Sequence, residues 1–481
     1  MNLTKDIIKD ICDDVNLQSK RKLRAEDYSR YLMFNGKTHE IIKAAISKEF
    51  SKPETVEELC SRIVPINITQ KIVTKLAGVY TESPLRKASN QDQQDNMLVG
   101  EYEEYLSLNL RMKEANRYFK LYKRNLSELY VDEMGCPWIR NIPRHQYEVY
   151  SFSALTPNRP DVIVKIIKDH INRSEQVFHI WSNENFVVVD GDGNILIQKM
   201  QENTSGINPY GKMPFVYINE SSDSVDPLAD DDLLKMSITI PVVLTDLLFA
   251  NKYQCFSLIY TIGYDGVVPS NPNSVVPMQI GKDGERPEIG TIEPKVDSDK
   301  VISIVTTLLS MLLTTKSLSS KTISPISSDN AASGVALILD NAESVEDKKD
   351  QQEFFRKAET DMWSLLSKHM IPYWRATGQI KPELNQEFSE DFEITVFFRE
   401  PKVITSEKEQ IELSTLRIES GFSTLKRELA MLYPQMSDEE ILDLMNEIRE
   451  EKQSNMDRAV GAIDGEVQPE DGTQSNNFGE Q

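Results

Sequence analysis

The sequence predicts an α+β protein in which helices dominate and strands gather mainly in one stretch. Three observations predict it. Apolar residues recur at helical spacing within residues 1–90 and again after 226; the period changes to two between 130 and 220; and a strand-like segment, 391–404, stands among helices. At 481 residues the chain is long for one hydrophobic core, so two to four regions are expected.

Within NITQKIVTKLAGVYTESP, Ile68, Ile72, Val73, Leu76, Val79 and Tyr80 fall on one helical face. Asn67 or Thr69 is placed to cap the start, and Ser83-Pro84 to end the helix. The stretch 88–97, within and just after KASNQDQQDN, reads as a polar loop and 98–129 as a Tyr- and Leu-rich helical block. QYEVYSF, DVIVKIIKDH, EQVFHIW, NFVVVD, ILIQKM and PFVYIN then read as short strands between turn residues. Residues 226–258 return to a helical pattern. Pro241 is expected to kink or split it, and Asp226, Asp230, Asp231 and Asp232 suit the positive end of its dipole. Residues 259–298 are rich in Pro and Gly with short strand-like pieces, a small β insert between helices. Asp299 to Lys316 is helical and apolar, 317–334 is Ser-rich and flexible by composition, and a long charged helix follows over 335–370. Helices are expected at 406–419, 422–433 and 437–453, the last with a capping box at Ser437–Glu440, and the tail after 458 is disordered by composition.

Net charge is −22, and half of it lies in residues 406–481, whereas residues 1–90 carry +4. That balance argues against tight nucleic-acid binding, which draws on Lys and Arg; taken alone it reads first as solubility, and second as a surface past which DNA slides without sticking. Cys12, Cys60, Cys136 and Cys255 are scattered and form no C-x-x-C pair, so buried free thiols are expected. The most apolar stretch, 301–313, is interrupted by Ser303, Thr306, Thr307 and Ser310. No segment is expected to be long and apolar enough to span a bilayer. The N-terminus, MNLTKDIIKDICDD, lacks the apolar core of a signal peptide, and cytosolic synthesis is the expectation.

Catalytic motifs fail on inspection. Gly206 to Met213 nearly spells a phosphate-binding loop, but Met213 stands where Ser or Thr should hold magnesium, and Pro214 and a strand follow where a helix is required. Asp190-Gly-Asp192-Gly-Asn194 opens like a calcium loop, but Ile195 and Gln201 occupy the positions that need Gly and Glu. Ser328-Asp329-Asn330 and Ser423-x-x-Lys426 match two boxes of penicillin-binding enzymes in the wrong order, without the third. The five histidines form no H-x-x-x-H pair, and Asp230–Asp232 alone do not argue for a metal. No catalytic residues, no cofactor and no metal are expected.

The order of parts is more informative: helix, small β insert, apolar helix, Ser-rich loop, long charged helix. With NITQKIVTKLAGVYTESP, NPYGKMPFVYINES and SSDNAASGVALILDNAESVED in that order, the chain resembles the portal proteins of tailed double-stranded DNA bacteriophages, of the siphophage type, over nearly its whole length.

That resemblance implies a portal fold with a helical and β-hairpin wing (1–225 and 335–405), stem helices at 226–258 and 299–316, a clip at 259–298, a tunnel loop at 317–334, a helical crown at 406–458 and a disordered tail at 459–481. It implies a non-enzymatic ring, about twelve copies, at one capsid vertex of the virion, through which DNA is packaged and ejected. The implied partners are duplex DNA, the large terminase, the head–tail adaptor, and the major capsid and scaffolding proteins, with no membrane. The DNA-facing residues would be Lys316, Ser319, Ser320, Lys321, Ser327, Ser328, Asp329 and Asn330. The motor- and adaptor-facing ones would be Pro269, Asn271, Pro272, Lys282, Asp283, Gly284, Glu285 and Arg286. The competing readings are a nucleotide-dependent enzyme built on 206–213 and a membrane-associated protein using 299–316.

Overall fold

The structure is a computed structural model of the full chain. It describes residues 2–50, 52–168, 176–200, 205–254, 258–262, 288–292, 297–318, 334–384, 386–399, 407–432 and 440–450. The chain divides into two compact units, residues 1–331 with 338–401, and residues 332–337 with 402–481.

Five helices open the first unit: α1 (Lys5–Val15), α2 (Gln18–Phe34), α3 (Thr38–Glu49), α4 (Pro53–Cys60) and α5 (Ile68–Leu76). Asn67 caps α5 by accepting the amide of Gln70, as expected. The helix then stops at Leu76, short of Ser83-Pro84, and Val79–Thr81 forms a separate 3-10 turn. Strand β1 (Leu85–Ala88) follows, then α6 (Gln93–Tyr105) and α7 (Leu108–Tyr122). The predicted loop at 88–97 is therefore partly strand and partly helix, because Asp92 accepts the Asp95 amide and starts α6 early.

The helical block also ends earlier than 129. Lys123 takes a left-handed conformation, φ +61°, and β2 (Arg124–Val131) begins directly after it. Arg124, Asn125 and Ser127 disguise this strand, being polar yet buried. Each is engaged in place: Arg124 pairs with Asp226, the Asn125 amide and the Ser127 hydroxyl donate to Ser127 and to Asn141 Oδ1 at 2.8 and 2.7 Å, and Asn141 donates to the Arg111 carbonyl and to Glu114 on α7.

Strands β3 (Pro137–Ile142), β4 (Tyr147–Tyr150), β5 (Val162–Lys168), β6 (Gln176–Trp181), β7 (Phe186–Asp190) and β8 (Phe215–Asn219) complete the β-rich stretch. They form two antiparallel sheets, ordered β3-β2-β8 and β4-β5-β6-β7. ILIQKM is not a strand: after an isolated bridge at Ile195, residues 197–199 form a 3-10 turn. The Asp190–Asn194 segment is the tight turn its composition suggests. The Asp190 carboxylate accepts the amides of Asp192 and Asn194, and Gly193 supplies φ +84°. Helix α1 packs Ile8, Ile11, Cys12 and Val15 onto the four-stranded sheet.

Next come α8 (Asp231–Gln254), β9 (Leu258–Ile262), β10 (Glu288–Ile292) and α9 (Ser298–Thr315). Strands β9 and β10 pair antiparallel, Leu258 opposite Ile292. Pro241 does not split α8, which runs through it. Both α8 and α9 are long and apolar enough, by length and composition, to cross a membrane, which corrects the sequence expectation. The reason is the continuity of α8 through Pro241, which joins two stretches otherwise counted apart. Cores of soluble proteins contain such helices as well, and α8 is substantially buried.

The long helix α10 (Gly334–Leu365) passes through a π turn, Leu366–Met370, into α11 (Ile371–Ala376). Pro372 explains the π turn: it has no amide to give the Lys368 carbonyl, and its ring needs extra room there. Strand β11 (Ile394–Phe397) returns to pair with β1, Leu85 opposite Phe397. Residues from 79–139, 216–218 and 355–396 share one core around Phe119, Phe355, Trp363 and Trp374. Beneath it Glu359 accepts from the Tyr80 hydroxyl (2.6 Å) and from Arg86 Nε and Nη2 (2.5 and 2.7 Å), so a buried carboxylate is fully engaged.

The second unit contains α12 (Glu407–Glu419), α13 (Leu425–Leu432) and a helical stretch at 440–450, each where the sequence expects a helix. The disordered-tail expectation, 459–481, lies outside the described residues.

Candidate functional site at the foot of a helical hairpin

Helices α8 and α9 pack side by side, and β9 with β10 joins their far ends. At the near end, the N-terminus of α8 and the C-terminus of α9 meet the body of the unit. Asp230, Asp231 and Asp232 stand at the start of α8 and Lys316 ends α9, so each helix dipole is complemented.

These charges are knotted together. Asp230 Oδ2 receives Lys316 Nζ at 2.6 Å, and its Oδ1 receives Lys123 Nζ at 2.6 Å. Asp232 lies 3.0 Å from the same Lys316 nitrogen, and Asp231 binds Arg30 at 3.0 Å and Lys235 at 3.1 Å. Burial pushes the Asp230 carboxyl up, but hydrogen bonds from Lys123 and Lys316 outweigh it and hold it below the usual carboxylate range. Lys123 is raised, chiefly by its hydrogen bond to Asp230. A cavity of about 200 Å³ adjoins the knot, lined among others by Arg30, Lys120, Lys123, Asp230, Lys316 and Ser317.

The end of α9 closes in a Schellman motif. Ser317 and Leu318 amides donate to the Thr314 and Leu313 carbonyls at 3.0 and 2.9 Å, and Leu318 is buried in the same core cluster as Leu312 and Leu313. Ser317 occupies the left-handed position, φ +54°, that favours glycine.

A second ion cluster sits in the segment leading into α8. Asp226 pairs with Arg124, with Arg144 at 2.9 Å and with Lys20 at 3.4 Å; Glu148 pairs with Arg24 at 2.8 Å and Arg144 at 2.7 Å. Burial raises Asp226, but Arg144, Arg124 and Lys20 overcome that and hold it at about 2. Asp226 therefore does not serve the helix dipole, as its place in the sequence suggests. It ties α2, β2 and the β4 region to the chain entering α8. Arg24, Arg124, Arg144 and Glu148 were not legible as site residues. Glu148 sits in an alternating strand pattern at a position that reads as solvent-facing, yet it is fully buried.

The two helices differ in how they are covered. Helix α8 buries Leu233 and Ile240 against α5 and α7, and Val242 against α3 and α4. Helix α9 buries only Leu312 and Leu313, and leaves Ile302, Ile304 and Met311 at 49%, 55% and 59% exposure. The Thr306, Thr307 and Thr314 hydroxyls donate to carbonyls four residues earlier, so this face presents few unmet hydrogen bonds.

Of the residues singled out for DNA contact, Lys316 is described and is engaged by Asp230 and Asp232. Ser319, Ser320, Lys321, Ser327, Ser328, Asp329 and Asn330 lie outside the described residues. So do Pro269, Asn271, Pro272, Lys282, Asp283, Gly284, Glu285 and Arg286. The 206–213 segment is a turn with Gly206 and Gly211 at positive φ that leads into β8, so no helix N-terminus follows Lys212. No group of three or more His, Cys, Asp or Glu side chains suited to a metal occurs among the described residues.

No protein-family model and no curated protein matches the chain. Among solved structures, a chain from the neck of an empty GTA particle computed with C6 symmetry is similar to it. The match covers 80% of this chain and 94% of that one, with 11% identity and a TM-score of 0.39.

Proposed function

We propose that this chain is the portal subunit of a tailed double-stranded DNA bacteriophage, a non-enzymatic protein of the virion. About twelve copies would form a ring through which DNA is packaged and ejected. The observation that carries the reading is the α8–α9 hairpin. Two long apolar helices are joined at the far end by paired strands, and one of them has a largely apolar face, its threonine hydroxyls bonded to its own backbone, that the described residues leave exposed. A closed ring covers such a face identically in every copy, because each subunit offers it to the next. The three sequence segments quoted above supply the order of parts.

In this reading α8 and α9 are the stem, the insert between them meets terminase and then the head–tail adaptor, and the Ser-rich segment with Lys321 lies nearest to DNA. Lys316, held by two carboxylates, is a strut of the stem rather than a free phosphate contact. The net charge of −22 per copy keeps the passing duplex from sticking. Negative-stain images of the purified protein test the proposal. Rings with a central hole are expected, and a strictly monomeric species across salt and concentration would overturn it.

A second reading draws on the length and apolarity of α8 and α9, which suit a membrane. Liposome flotation separates the two: the portal stays at the bottom of the gradient, a membrane protein rises with the vesicles.

A further inference from the structure

We propose that Lys123, Asp230 and Lys316 form a clasp which the phosphate backbone of duplex DNA opens, freeing the last turn of α9 from the body of the unit. This inference rests on the portal reading, which brings DNA to the chain continuing from Lys316.

The geometry that supports it is local. One carboxylate, Asp230, joins two lysines, each at 2.6 Å, and each lysine closes a helix: Lys123 ends α7 and Lys316 ends α9. The neighbouring cations have carboxylates of their own. Lys120 is paired with Asp347 at 2.7 Å, and Arg30 with Asp27 and Asp231 at 3.0 Å. Asp230 is the carboxylate that both lysines share, Lys316 having Asp232 at 3.0 Å as a second, so a competing anion acts most strongly on Lys123, which among the described residues pairs with Asp230 alone. Lys123, at 36% side-chain exposure, is open to such an anion, and Lys316, at 12%, is reached once Asp230 is drawn away.

Backbone strain is stored at the same place. Of four non-glycine residues with positive φ among those described, Lys123 and Ser317 both line the cavity beside Asp230. Beyond the clasp, α9 is fixed to the body by Leu312, Leu313 and Leu318 in one cluster, while the rest of its length lies along α8. Loss of the Asp230 bridge thus leaves three apolar side chains, the longer Lys316–Asp232 pair and a strained turn to hold the helix end, and the cavity of about 200 Å³ gives the released lysine room to turn. Asp231 and Asp232 then repel the arriving phosphate, so the contact is transient and DNA is not trapped.

Hydrogen exchange of the assembled full-length protein tests this on the peptide spanning 312–318, whose Leu318 amide donates to Leu313. A short DNA duplex is expected to speed exchange there at least tenfold. Sodium chloride at the same ionic strength and inorganic phosphate at the same phosphate concentration should not. Asp230→Asn should exchange fast without DNA and respond no further, Lys316→Arg should keep the response, and peptides from Phe355 to Leu366 should stay protected throughout. Unchanged exchange at 312–318 while the rings bind DNA overturns the clasp, as does a silent Asp230→Asn. Opening by free phosphate overturns the DNA trigger. Protein that forms no rings overturns the portal reading instead.

Discussion

Removing the Asp226 carboxylate is the sharpest test of how the chain is tied together ahead of α8. Its carboxyl stands at about 2 against an ordinary 3.8. At about 1.4 kcal/mol per pH unit, the ionised form contributes about 2.5 kcal/mol to folding. The folded value lies below the unfolded one, so this stability is fully present above pH ~4 and is lost as pH falls from about 4 toward 2. Asp226→Asn should lose about that amount at pH 7 and shed its share of the acid sensitivity. Asp226→Ala should lose more, about 3–5 kcal/mol, because the buried Arg124 is left without its anion and Arg144 with Glu148 alone. Urea unfolding followed by tryptophan fluorescence at pH 7 and pH 3 reads both effects. A wild-type midpoint for Asp226→Ala at pH 7, or an undiminished acid slope for Asp226→Asn, would refute the reasoning.

On the portal reading, Ile302→Asp combined with Ile304→Asp should abolish ring assembly while leaving a folded monomer, since both side chains face outward in the single chain; sedimentation velocity and circular dichroism check the two halves. Ser317→Gly should stabilise the end of α9 by about 1 kcal/mol by relieving the left-handed strain, and Ser317→Val should do the reverse, as read from exchange of the Leu318 amide. Cys12, buried and pushed up to about 12 first by burial and then by nearby aspartates, should resist iodoacetamide at pH 8 in the native protein, whereas partly exposed Cys60 and Cys136 react; mass spectrometry of the labelled protein decides it.

Much of this architecture follows from periodicity. Helix α9 begins and ends within a residue of where its apolar pattern does, and the alternating runs at 147–150, 162–168, 176–181, 186–190 and 215–219 are all strands. Two of the misreadings, at β2 and at α6, turn on polar residues that the structure puts to use. Arg124, Asn125 and Ser127 make β2 look like the end of a helix, because their partners, Asp226 and Asn141, are remote in sequence. The early start of α6 depends on Asp92, which reads as one more polar loop residue. The site was legible in pieces only. Asp230 and Lys316 each stand out, one as a helix-start acid and one as a cation beside the Ser-rich loop, but 86 positions separate them and nothing in the local pattern pairs them. Lys123, the third member, carries no signal at all, because its role follows from a left-handed residue that ends α7 beside the foot of α8.

The uneven anchoring of α8 and α9 is itself an argument about assembly. Were the isolated chain the final state, α9 would gain by burying Ile302, Ile304 and Met311 or replacing them with charge, since side chains of that size are worth roughly 1.5–3 kcal/mol each when covered. Instead the buried residues of the helix, the capping Lys316 and the left-handed turn all fall within 312–318, and Ile302, Ile304 and Met311 before them stay exposed, with threonine hydroxyls turned back on their own backbone. That division suits a helix held by its own subunit at one end and by a neighbour along its length. It also explains why the electrostatic knot lies where it does. A helix fixed only by an apolar neighbour can slide along it, because dispersion has little directionality, whereas Asp230 between Lys123 and Lys316 fixes its axial position at a defined point. The charges would set the register, and the apolar face would then supply the association energy in a register already chosen.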